Sequence, residues 1–141
     1  MNDPHDLQRF VDAQAPVIDQ VLAELGRGRK ASHWMWFVFP QIRGLGHSAM
    51  AERYAIGSLA EARAYLAHPL LGPRLIACTG LVNAAEGASI RQVLGQPDDL
   101  KFRSSMTLFA HAAPDQPVFK VALDRYFAGE EDTATLERLG A

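Results

Sequence analysis

The side chains best suited to chemistry gather in residues 30–48. Lys30, His33, Gln41, Arg43, His47 and Ser48 bracket an unbroken apolar run, Trp34-Met35-Trp36-Phe37-Val38-Phe39-Pro40, and surround a turn held by Gly44 and Gly46. Glycine lets a backbone come close to a ligand or take positive φ. Free amides, an arginine and flat aromatic walls together suit an anionic or heteroaromatic ligand. The same residues have a plainer reading. Trp34 and Trp36 can fill a core, where their indole N–H groups need partners, while the polar residues sit exposed on a turn.

A second cluster occupies residues 98–107. On a helix Lys101 shares a face with Ser104 or Ser105, and a lysine with a hydroxyl one turn on can hold a phosphate. Helical Ser and Thr also bond back to the preceding turn, so a structural role is open to Ser104, Ser105 and Thr107. Asp98 reads as a helix cap, and Asp99 as the carboxylate best placed for general acid–base work. If the two clusters meet, they frame a site for a phosphorylated or nucleotide-like small molecule on a floor of Trp34 and Trp36. Catalysis there would be acid–base hydrolysis, with His33 or Asp99 carrying the proton and Lys30, Arg43 or Lys101 clamping the anion. The alternative is a non-catalytic interaction or structural module in which the aromatic segment is core.

Other chemistries find little footing. There is no nucleophile elbow, no phosphate-loop glycine pattern and no His-Glu-x-x-His. The five histidines, at 5, 33, 47, 68 and 111, have no ligand spacing, so no metal and no cofactor is expected. A net charge of -2 argues against a broad electrostatic face for nucleic acid. The one local basic excess is Arg27, Arg29 and Lys30, either a solvated loop or a small anion-binding rim. A small anionic ligand is thus the partner to look for.

Positioning these residues falls to short helices. The 141 residues, 48% apolar and 21% charged, fit one globular domain spanning 1–141. Asp3 and Pro4 cap and start a helix with Leu7, Phe10 and Val11 on one face, and Pro16 breaks it. Val17, Ile18, Val21, Leu22 and Leu25 stripe a second helix, ended by Gly26 and Gly28. Ser32 is placed to cap a short buried helix over residues 34–39, which Pro40 ends before a loop over 41–46. Ser58 with Glu61, and Ser89 with Gln92, have capping-box spacing; those helices stop at His68, before Pro69, and at Gly95. Pro73 opens residues 74–85, apolar on most sides and so expected at the centre. Further helices follow Pro97 and span 118–127, and Asp132 caps a last turn through Leu136 and Leu139. No alternating polar and apolar run lies between hairpin turns, so strands are not expected. The sum is an all-α bundle of about seven to nine short helices.

The lone cysteine, Cys78, lies in an apolar run with no basic neighbour to lower its pKa, which fits a packing thiol in a reducing cytoplasm. Residues 1–6 are polar, without the basic flank and apolar core of a signal peptide. The longest apolar run, residues 34–40, falls far short of the ~20 residues of a membrane span. A soluble cytoplasmic protein is expected.

Several of these segments carry a likeness in order along the chain. Gly28-Arg29-Lys30, His33-Trp34-Met35-Trp36, Phe39-Pro40-Gln41 and Gly44-Leu45-Gly46-His47-Ser48 come first. Tyr54-Ala55-Ile56, Glu61-Ala62, Tyr65-Leu66 and His68-Pro69-Leu70 follow. Gly95, Asp98 or Asp99, Lys101, Ser104-Ser105-Met106-Thr107-Leu108-Phe109, Tyr126-Phe127, Gly129, Asp132 and Thr135-Leu136 complete it. In these the chain resembles the bacterial and fungal family called domain of unknown function 1810, over essentially its whole length. The resemblance implies an all-helical fold and, since that family has no established biochemical role, no particular activity. A narrower form of the hydrolase reading is N-glycosidic cleavage like that of the small helical YbiA-like (NADAR) proteins, with no matching motif to anchor it.

Overall fold

The structure is a computed structural model and describes residues 3–140. Met1 and Asn2 of the polar N-terminal stretch, and Ala141 at the far domain boundary, lie outside the described residues. In chain order these form α1 (Gln8–Gln14), α2 (Ile18–Gly26), α3 (Met35–Val38), α4 (Ala49–Arg53), α5 (Leu59–Ala67), α6 (Leu71–Asn83), α7 (Ile90–Leu94), α8 (Asp98–Ala112), α9 (Pro117–Phe127) and α10 (Thr133–Leu139). Extended pairing among them is limited to a parallel bridge between Ile42 and Ile56. The class is all-α, and the helices number one more than expected. The added one is α4, started by Ser48, whose hydroxyl accepts the amide of Ala51. A residue that looked like a ligand contact is an N-cap.

The local stop and start signals mostly act as their chemistry dictates. Ser89 and Gln92 form a complete capping box on α7, and the Asp132 carboxylate accepts the Thr135 amide at α10. Ser58 accepts the Glu61 amide, but the Glu61 carboxylate turns outward from the box. It accepts the Gly57 amide at 3.1 Å and pairs with Arg9 at 2.9 Å. The Asp3 carboxylate takes the amides of Leu7 and Gln8, so it closes an opening turn and α1 proper begins only at Gln8. Two expected caps do other work. Trp34, not Ser32, is the N-cap of α3, because the Ser32 hydroxyl donates to Glu24. Pro97 is the N-cap of α8, and Asp98 is its first helical residue.

One continuous core links the helices through their aromatic rings. Phe10, Tyr65, Phe109 and Phe119 run in contact through α1, α5, α8 and α9, and Phe39 meets Phe102 edge-on at 5.0 Å. Helix α6 packs on α2, α5 and α9, but the centre belongs to α8, which packs against α5, α7, α9 and α10 and is buried at every position from 104 to 109. Ser104 and Thr107 survive there by bonding back to the carbonyls of Leu100 and Arg103. Buried Gln14 donates its amide to the Phe37 carbonyl and the Tyr65 hydroxyl, which fixes α3 against α1 and α5.

Candidate functional site

The two chemistry-bearing segments meet. Lys30 Nζ lies 2.9 Å from Asp98 Oδ2, and Lys101 Nζ lies 3.8 Å from Asp98 Oδ1. Each ammonium also faces an indole: Lys30 over Trp34 at 5.1 Å and Lys101 over Trp36 at 5.8 Å. Asp98 is therefore a bridge between two lysines. The Lys30 side chain is only 9% exposed, so this ion pair is largely removed from water.

The aromatic segment divides between core and rim. Trp34, Met35, Phe37, Val38 and Phe39 are buried, whereas Trp36 is half-buried. Trp36, Gln41 and Lys101 line a small cavity that Gly44 and Gly46 border. At about 10 Å³ it has room for one water and not for a metabolite. The Gly44 and Gly46 turn is tightly built. Gly44 has φ of +100°, and a Cβ there would sit 2.7 Å from the Arg138 guanidinium; one on Gly46 would sit 2.6 Å from the Ala51 methyl.

The remaining expected residues scatter. His33, Arg43, His47 and Ser48 are exposed, and none of them lines the Trp36 cavity. Arg43 instead borders a polar hollow with Arg9, Arg53 and Glu61. Thr107 Oγ1 accepts the amide of Asp132 at 2.9 Å, so its hydroxyl is spent on holding α10. Ser105 Oγ and Asp99 Oδ1 are buried without a hydrogen-bond partner among the described residues. Cys78 is buried, and that burial pushes its thiol up to about 12. Native protein should therefore resist iodoacetamide at neutral pH and react only on unfolding; alkylation by mass spectrometry checks this, with rapid native labelling the contrary result.

Two residues of importance were not singled out from the sequence. The first is Glu24, fully buried in α2. Its Oε1 accepts the amides of Ala31 and Ser32 and the Trp34 indole N–H at 2.7, 3.0 and 3.0 Å; its Oε2 accepts the Ser32 hydroxyl at 2.6 Å and the Gln20 amide at 3.1 Å. Burial by itself raises this carboxyl, but the donors from Ser32, Ala31, Trp34 and Gln20 outweigh it and bring the pKa down to about 2. The chain from Arg27 to Trp34 is thus wrapped around one carboxylate. A signal was present: Glu24 lies three residues after Val21 and beside Leu25, inside the apolar stripe.

The second is Arg91. Helix α2 ends in a Schellman motif, with Gly28 at φ +74°, its amide on the Leu25 carbonyl and the Arg29 amide on the Glu24 carbonyl. The Lys30 amide then reaches the Val93 carbonyl at 2.7 Å, which sets the turn against α7. Between them lies a groove of about 680 Å³ with Arg27, Arg29 and Lys30 on one wall and Arg91 and Gln92 on the other. Gly28, Gly87 and Gly95, all at positive φ, border it, and a Cβ on Gly87 or Gly95 would meet nothing. No carboxylate, imidazole or aromatic ring is in this lining.

The helical fold and the order of these segments along the chain go with one class of protein. The chain matches the model of the family described as Protein of unknown function (DUF1810) over residues 4–139, and it belongs to that family. It is similar to the conserved hypothetical protein Rv1873 from Mycobacterium tuberculosis, whose crystal structure is 58% identical in sequence, covers 99% of each chain and superposes with a TM-score of 0.97. No curated protein matches the chain. Among the described residues no helix is long and apolar enough to cross a membrane.

Proposed function

We propose that this protein binds a phosphate-bearing small molecule in the groove between residues 27–30 and α7. The observation that carries the reading is the convergence of Arg27, Arg29, Lys30 and Arg91 on a groove of about 680 Å³ with no acidic residue in its lining. That size falls within the ~300–1,000 Å³ range of small-molecule sites. Guanidinium groups favour phosphate oxygens through paired N–H donors. Lys30 joins this groove to the Asp98–Lys101 bridge, so the basic rim and the second chemistry-bearing cluster form one charged surface. The reading is of a binder. Neither His33 nor Asp99, the proton carriers a hydrolase would use, borders the groove.

Thermal unfolding in the presence of inorganic phosphate, glucose 6-phosphate and ADP tests it. A ligand at a hundred times its Kd adds about 2.7 kcal/mol of apparent stability. Arg29 and Arg91 are exposed, so Arg29→Glu and Arg91→Glu should leave the unliganded melting temperature close to wild type. The expected result is a ligand-dependent rise in the wild type that either reversal abolishes, and that weakens as salt is added. The proposal fails if none of the three compounds moves the transition, or if the reversed variants respond as the wild type does.

A further inference from the structure

We infer that the groove selects a diphosphate group, inorganic or esterified, and does not read the base or sugar attached to it. This deepens the phosphate-binding reading and rests on it. Three observations carry it. The first is charge. Arg27, Arg29 and Arg91 make no ion pair among the described residues, Arg91 donating only to the neutral Gln96 carbonyl oxygen, whereas the Lys30 charge is shared with Asp98. A phosphomonoester brings about -1.5 to -2, which leaves one arginine uncompensated. A second ionised phosphate supplies the missing charge.

The second observation is that the cations come from two segments. Arg27 and Arg29 follow α2 while Arg91 stands on α7, on opposite sides of a groove of about 680 Å³. One five-atom phosphate fills a small part of that volume and engages one wall. Two linked phosphates reach both, and the glycine backbone at Gly28, Gly87 and Gly95, which carries no side chain, lets them lie close to the floor. The third observation is what the lining omits. Trp34 and Trp36 are turned to the core and to the Lys101 side, so the groove has no ring on which a base could stack. Gln92 is the one uncharged polar side chain in its lining, and its carbonyl oxygen already accepts the Ser89 amide.

Titration calorimetry at fixed ionic strength, without divalent cations, with phosphate, pyrophosphate, AMP, ADP and UDP separates the parts. Pyrophosphate, ADP and UDP should bind within about threefold of one another, and each at least about tenfold tighter than phosphate or AMP. Arg29→Gln on one wall and Arg91→Gln on the other should each lower ADP affinity more than AMP affinity, bringing the two together. Equal binding of AMP and ADP overturns the diphosphate inference and leaves a general phosphate site standing. ADP far tighter than pyrophosphate overturns the indifference to the base. Absence of binding by all five overturns this inference together with the reading beneath it.

Discussion

Glu24→Ala should unfold at a melting temperature on the order of 10 °C below wild type, a loss of about 4 kcal/mol at neutral pH. Truncation leaves the buried Trp34 indole N–H, and the part-buried Ala31 and Ser32 amides and Ser32 hydroxyl, without their acceptor. Each unmet buried donor costs about 1–3 kcal/mol, and the charge assistance is lost with them. Glu24→Gln keeps the Oε1 acceptor but puts an amide N–H₂ against the Ser32 hydroxyl and the Gln20 amide, so a smaller loss of about 2 kcal/mol is expected. The pH dependence has a definite sign. The folded carboxyl, at about 2, lies below its ordinary value of 4.5, so the unfolded chain binds the proton first. The contribution of Glu24 is complete above about pH 4.5 and is lost as pH falls toward 2; Glu24→Gln should flatten the stability curve in that window. Chemical denaturation at several pH values from 2 to 7 measures both effects. A variant as stable as wild type, or an unchanged acid limb, would show that the carboxylate does not organise this loop. Since the loop carries Arg27, Arg29 and Lys30, ligand binding in the groove should weaken in the same variants.

What could be read from the sequence alone was whatever is decided within one or two helical turns. The Ser89 box, the Asp132 cap and the break at Pro16 depend on neighbours three or four residues away, so their chemistry is visible in one dimension. Asp98 shows the limit. Its position suits a cap, but its partner is Lys30, far away in the chain, and the ion pair took the carboxylate from that role. Arg91 is the same case from the other direction. Read locally it is the interior of a capping box, and only the hydrogen bond from Lys30 to Val93 brings α7 beside residues 27–30, so that Arg91 lines the same groove. The run from Trp34 to Phe39 has no polar member, so periodicity could not divide buried rings from the half-exposed Trp36. Ser48, drawn into the ligand hypothesis by its neighbours, fits the cap spacing to Ala51 as well as any other serine in the chain. Glu24 is the one residue whose signal was present and passed over: a carboxylate inside an apolar stripe must be satisfied by something, and here it is satisfied by the loop that builds the groove.

Gly72→Ala and Gly80→Ala are the same substitution in the same helix, and they should change stability in opposite directions. Alanine is favoured over glycine in a helix interior by about 0.8–1.0 kcal/mol, because it restricts the unfolded chain. At Gly80 a Cβ would meet no atom within 4 Å, so the intrinsic preference should emerge as a gain of about 0.5–1 kcal/mol. At Gly72 a Cβ would sit 2.0 Å from the Leu66 carbonyl oxygen and 2.9 Å from its carbon. That neighbour is backbone in the last turn of α5, so it cannot swing aside as a side chain would. The start of α6 would have to lift from α5, next to buried Leu71 and Leu75 and the Tyr65 ring. A loss above about 4 kcal/mol is expected, enough to consume much of the ~5–15 kcal/mol that holds a domain folded. Urea unfolding of both variants checks the pair. Gly72→Ala with wild-type stability would mean that α5 and α6 do not cross at this distance, and a destabilised Gly80→Ala would place an unseen neighbour on that face of α6. The contrast also points to the cause, since a modest difference in propensity between the first turn and the interior of α6 cannot reverse the sign and the Leu66 carbonyl can.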